Sequence, residues 1–153
     1  MREAYREALK AFDEDEVPIG AVVVQNNVII GRGHNRVEGL RDPTAHAEII
    51  AISAACNTIG DWRLADSAIF VTVEPCLMCI GAIINARIEK VVYGIREPKF
   101  GALGSVLNIL EYKNFNHTLK VEKSNIFDEE ITALMKRFFE SKRNRTHSVG
   151  NAS

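Results

Sequence analysis

A chain of 153 residues has the length for one domain with a single core, not for two. Its 46% hydrophobic and 25% charged residues are an ordinary globular balance, and a formal net charge of −1 argues against a protein that coats nucleic acid without specificity. No apolar run approaches the ~20 residues of a membrane span, and "MREAYREALKAF" lacks the continuous apolar segment of a secretory signal.

The first helix is predicted over "REAYREALKAF", where Ala4, Tyr5, Ala8, Leu9 and Phe12 recur at helical spacing before the acidic "DEDE". "IGAVVV" and "VIIGRG" then flank Asn26-Asn27 and predict two strands around a two-residue hairpin turn. "DPTAHAEIIAISAAC" predicts a second helix, with Asp42 as its N-cap and Pro43 at its first position. A buried strand, "AIFVTV", leads into a third helix, "PCLMCIGAIINAR", begun by Pro75. The strand "KVVYGI", a glycine-punctuated loop "REPKFGALGS", a short helical "VLNIL" and a strand "TLKVEK" follow. A last helix covers "DEEITALMKRFFESKR", and residues 144–153 are expected to form a disordered polar tail. With right-handed crossovers between parallel strands, this order predicts an α/β chain: a three-layer α/β/α sandwich around a mixed five-stranded sheet.

Cys76 and Cys79, three apart at a helix start, bring both sulfurs to one face, where free N–H groups and the dipole favour thiolate. His46 in the other helix start is the candidate third ligand. Three protein ligands leave a fourth tetrahedral position for water, the pattern of a catalytic zinc site. Cys56 stands ten residues from His46, almost three turns away, and reads as a small apolar residue on a packed helix. Glu48 follows His46 by two residues, a spacing that would set fully helical side chains about 200° apart. If the two border one cavity, Glu48 is suited to take a proton from water and deliver it to substrate as general base and then general acid. Alone, the C-x-x-C would read as structural or redox, His46 as a surface residue and Glu48 as a solvated helix face. The joint pattern is far more specific. With only three cysteines, a reducing compartment fits better than a disulfide framework, and the cytoplasm is the expected location.

"TAHAEIIAI" followed by "PCLMC" carries the H-x-E and P-C-x-x-C signature of the zinc nucleobase deaminases. At these residues the chain resembles the cytidine-deaminase-like superfamily, and more closely its bacterial-type tRNA-specific adenosine deaminases. The likeness also takes in "EVPIGAVVV", "HNRVEGLRDPTAHAEIIAI", "WRLADSAIFVTVEPCLMCIGAIINARI", "GALGSVLNIL" and "NHTLKVEKSNIF". It implies a zinc-dependent deaminase domain over residues 1–143 with the sheet predicted above. His46, Cys76 and Cys79 match the family's ligands for one zinc per subunit, and Glu48 matches its proton shuttle. Asn35 matches the residue that hydrogen-bonds the flipped base, and Val17, Pro18, Ala47 and Pro75 match positions near the base pocket. The implied substrate is the wobble adenosine of a tRNA anticodon stem-loop, by family resemblance an arginine tRNA, converted to inosine by a homodimer. Glu97 stands where the family has an aspartate that touches RNA, and its extra methylene could shift that contact.

A free-base or nucleoside deaminase acting on guanine or cytosine shares these motifs and is the enzyme rival. Lys99 and Phe100 offer a charge and an aromatic face on one loop, a combination useful for single-stranded RNA. Arg143 belongs to a basic C-terminal end that favours the RNA enzyme, although alone that run would read as a solvated helix end with cations suited to the dipole. A non-catalytic zinc domain that binds nucleic acid is the rival from another class. Members of that kind typically lose the glutamate, which this chain keeps.

Overall fold

The computed structural model describes residues 1–112 and 114–150. Strands β1 (Gly20–Gln25), β2 (Val28–His34), β3 (Ser67–Val73), β4 (Lys90–Ile95) and β5 (Lys120–Lys123) form one sheet in the order β2-β1-β3-β4-β5. β1 pairs antiparallel with β2 and with β3, whereas β3, β4 and β5 run parallel. The hairpin turns where expected: Asn26 (φ 51°) and Asn27 (φ 61°) are both left-handed, the conformation that a two-residue turn matching the strand twist requires.

Helices α1 (Arg2–Asp13) and α5 (Asp128–Gly150) pack on one face of the sheet, and α3 (Ala47–Ile59) and α4 (Leu77–Asn85) cover the other. The core lies under α3 and α4, where Val23, Ile69, Val71, Ile80, Ile83 and Val91 are fully buried. α3 lies very close to β2 because Gly33 has no side chain. A Cβ there would run into the Ala47 carbonyl and come 2.5 Å from the Ala51 nitrogen. On the far face, Phe12 of α1 meets Phe138 of α5 edge-on, with ring centroids 6.4 Å apart.

Several boundaries differ from expectation. The second predicted helix does not start at Asp42 and Pro43. A short α2 (Val37–Leu40) ends at left-handed Arg41, and α3 begins only at Ala47. Asp42 spends its side chain on a local turn, accepting from the Thr44 N–H (2.8 Å) and hydroxyl (2.7 Å). Pro75 likewise stands outside its helix, which starts at Leu77. The segment "VLNIL" holds one 3₁₀ turn, Ile109–Glu111, capped by the Asn108 carboxamide. α5 continues to Gly150, so residues 144–150 are helical where disorder was expected, and residues 151–153 lie outside those described. Lys142 and Arg145, three residues apart on one helix face, both reach Asp15 Oδ2 at 2.9 Å and hold that stretch against the end of α1.

Candidate active site

Two helix starts meet at this site, and a candidate ligand caps each. His46 (φ −75°, ψ 153°) and Cys76 (φ −77°, ψ 171°) are extended N-cap residues, outside the helical periodicity of α3 and α4. His46 can therefore border the same cavity as Glu48, a pairing that two fully helical positions would forbid. His46 Nδ1 is 3.6 Å from Cys76 Sγ and 3.6 Å from Cys79 Sγ. All three donor atoms lie within 4.8 Å of one another. A tetrahedral ion with ~2.3 Å bonds to sulfur and ~2.05 Å to nitrogen would separate these N and S donors by about 3.6 Å, so the donor set and its spacing fit zinc.

The charges suit that use. The hydrogen bond from Cys79 holds the Cys76 thiol down to about 4, against the effect of burial, and His46 adds to the lowering. The same contact pushes Cys79 up, as does its burial, while the hydrogen bond to Cys76 raises the His46 imidazole. One thiolate is thus in place, and an ion would displace the remaining protons. Glu48 is only 4% exposed, and burial raises its carboxyl above the ordinary carboxylate value. A carboxyl displaced in that direction holds a proton more readily than an exposed one, which suits a group that must both take and give one.

These residues open into a cavity of about 400 Å³. His46, Glu48 and Cys76 line it together with Val17, Ile19, Asn35, Glu97 and Phe100. Of the other residues singled out from the sequence, Pro18, Ala47 and Pro75 are buried but do not line the cavity. Lys99 and Arg143 are exposed and outside it: Lys99 precedes Phe100, and Arg143 stands one α5 turn beyond Phe139. Lys136 lies 4.0 Å from Glu140, Lys142 and Arg145 meet Asp15, and Arg137 lies over the Phe12 ring. Much of the basic end is therefore engaged within the molecule.

Among the cavity residues that the sequence did not single out, two pairs matter most. Met135 and Phe139, four apart on α5, wall the cavity from a helix remote in sequence. Glu16 and Glu74 are buried carboxylates. Glu16 accepts from the Gly39 N–H (2.6 Å), the Glu38 N–H (3.2 Å) and Asn35 Nδ2 (3.3 Å). A carboxylate facing an amide fixes which end is which, so Asn35 keeps its carbonyl oxygen and one N–H for a ligand. Burial raises the Glu74 carboxyl, but the Ser105 hydroxyl and the N–H groups of Glu97, Ser105 and Leu103 outweigh it, leaving the group below its ordinary value. An acidic residue ending the apolar run "AIFVTVE" was the only available signal.

Residues 1–143 match the family model of the MafB19-like deaminases. The tRNA-specific adenosine deaminase of Bacillus subtilis (strain 168) is 44% identical over 145 residues, covering 95% of this chain and 89% of that one. A solved tRNA:A34 deaminase, from work on A-to-I editing at the wobble position of transfer RNA, superposes with a TM-score of 0.83 at 40% identity. The match covers 88% of this chain and 96% of that one. A guanine deaminase from Bacillus subtilis has similar identity, 39%, but a TM-score of 0.59, covering 62% of this chain and 61% of its own.

Proposed function

The chain belongs to the MafB19-like deaminases and to the tRNA-specific adenosine deaminases, and on that premise we propose that it hydrolyses the wobble adenosine of a tRNA anticodon to inosine, releasing ammonia. The observation that carries the reading is a buried carboxyl, Glu48, that lines one cavity with His46 and Cys76. The donor set of His46, Cys76 and Cys79 supports one zinc per subunit. When bound, zinc supplies the Lewis acidity that makes water a nucleophile near neutral pH. Glu48 takes the proton from the water that attacks C6 and passes it to N1 of the purine. It then carries the remaining proton from the new C6 hydroxyl to the amine as the C6–N bond breaks, leaving the carbonyl of inosine and ammonia, so one carboxyl serves both halves of the reaction. Asn35, with its amide fixed by Glu16, hydrogen-bonds the edge of the base.

An anticodon loop suits this cavity because its bases are already unpaired and one can turn in without opening a duplex. Phe100 and Phe139 stand at the cavity with rings 70% and 44% exposed for the two residues, available to flank a base. The whole-length likeness to tRNA deaminases favours RNA over a free base. By the same resemblance the substrate is an arginine tRNA and the enzyme is a homodimer, and its three cysteines favour the reducing cytoplasm. Trp62 and Leu77, 53% and 52% exposed, supply apolar surface for a second copy. Among the described residues, no helix is long and apolar enough to cross a membrane.

The test pairs metal analysis with turnover of an anticodon stem-loop by wild-type protein and Glu48→Ala. Both proteins should hold one zinc per chain and melt alike, while the variant forms inosine ~10²–10⁴-fold more slowly or worse. Near wild-type turnover in the variant would remove Glu48 from the mechanism.

A further inference from the structure

Glu48 is not the only buried carboxylate in the cavity. Glu74, 3% exposed at the end of β3, also lines it, yet its surroundings are different. Its Oε1 accepts from the N–H groups of Leu103 (2.9 Å) and Ser105 (3.0 Å). Its Oε2 accepts from the Glu97 N–H (3.1 Å) and from the Ser105 hydroxyl. A carboxylate has about four acceptor positions, and these four donors fill them, leaving none for a proton in transit. Glu74 is therefore no second shuttle.

The donors are arranged instead to hold a loop. Glu97 stands before, and Leu103 and Ser105 after, the arc that carries Lys99 and Phe100. Two further contacts fasten the arc to the ligand-bearing helix start: Ala102 N–H donates to the Pro75 carbonyl (3.0 Å), and Gly101 bridges Cys76. The loop is wrapped closely enough that a Cβ on Gly101 would come within 2.5 Å of the Glu74 carboxyl carbon. Phe100 meanwhile is 70% exposed and reaches the cavity. An exposed aromatic held in place binds with less ordering entropy than one on a free loop.

We propose that Glu74 is a positioning residue for substrate: it seats residues 97–105 so that Phe100 stands ready at the cavity, and so governs affinity for the RNA strand rather than the chemical step. This rests on the reading of the substrate as an anticodon loop. Glu74→Gln keeps the size of the side chain but turns an NH₂ group towards donors that need an acceptor. Zinc-loaded wild type and variant would be compared by steady-state kinetics on an anticodon stem-loop, zinc content, and amide exchange of residues 97–105 without RNA. The expected result is faster loop exchange and a KM raised about tenfold or more, with kcat within about threefold of wild type and zinc unchanged. Ser105→Ala, which removes one donor and keeps the carboxylate, should move KM and exchange the same way by less, and stands in if the first variant folds poorly. A fall in kcat at constant KM, or faster exchange with both constants unchanged, overturns the proposal. Wild-type protein that leaves the stem-loop unaltered overturns the functional reading and the substrate half of this one, while the exchange rates still decide whether Glu74 anchors the loop.

Discussion

At the scale of single residues, the proposed chemistry depends on His46 standing one step outside α3. As an extended N-cap it turns Nδ1 towards Cys76 and Cys79, and Glu48 in the first turn reaches the same cavity. Cys79 is the fully buried member of the set, so Cys79→Ser should lose most of the zinc and lower the melting temperature, measured by metal analysis and thermal unfolding. Retention of full zinc would mean the ligand set is wrong. Asn35→Ala removes the proposed base contact and leaves Glu16 with one donor fewer. Its kcat/KM on a stem-loop should fall by ~1–3 kcal/mol of transition-state stabilisation, with zinc unchanged. That His46, Cys76 and Cys79 come together was legible in the sequence, because cysteine and histidine at such spacings have few uses. The convergence of His46 with Glu48 was not, since a cap conformation leaves no periodic trace. Glu16 and Glu74 were hidden for a related reason: their partners are backbone N–H groups, which every residue but proline carries.

At the scale of elements, the position of α3 depends on β2. Gly33→Ala would press a Cβ into the Ala47 carbonyl, directly after the His46 cap. The expected outcome is destabilisation of ~1–3 kcal/mol in denaturant unfolding, with a loss of turnover that persists at temperatures where the variant is fully folded. Unchanged turnover in folded protein would separate strand packing from the site. The hairpin was readable from Asn26-Asn27, and the strands from their apolar runs. The start of α3 was misread because Asp42 before a proline mimics a cap, whereas its side chain is taken up by Thr44. The end of α5 was misread because the partner of Lys142 and Arg145 is Asp15, more than a hundred residues away in the chain. Asp15→Asn should reduce the helicity of that end slightly, by circular dichroism, with a difference that high salt removes.

At the scale of the whole molecule, a net charge of −1 gives no general attraction to RNA. Binding has to come from local cations near the cavity, and Lys99 and Arg143 are exposed candidates beside Phe100 and Phe139. Stem-loop affinity should therefore fall with salt by a log–log slope of roughly −0.7 per phosphate neutralised, and Lys99→Ala with Arg143→Ala should flatten it without changing zinc content. An unchanged slope would assign the phosphate contacts elsewhere. The central claim is that this fold attacks an adenine presented by RNA, although its buried end would suit other amino-substituted rings. One measurement addresses it most directly: purified zinc-loaded protein is incubated in parallel with an anticodon stem-loop bearing adenosine at the wobble position and with free guanine, cytosine and adenosine, and the deaminated products are quantified. Inosine should form at the wobble position, with little or no product from the free compounds. Robust turnover of a free base with an unaltered stem-loop would contradict that claim.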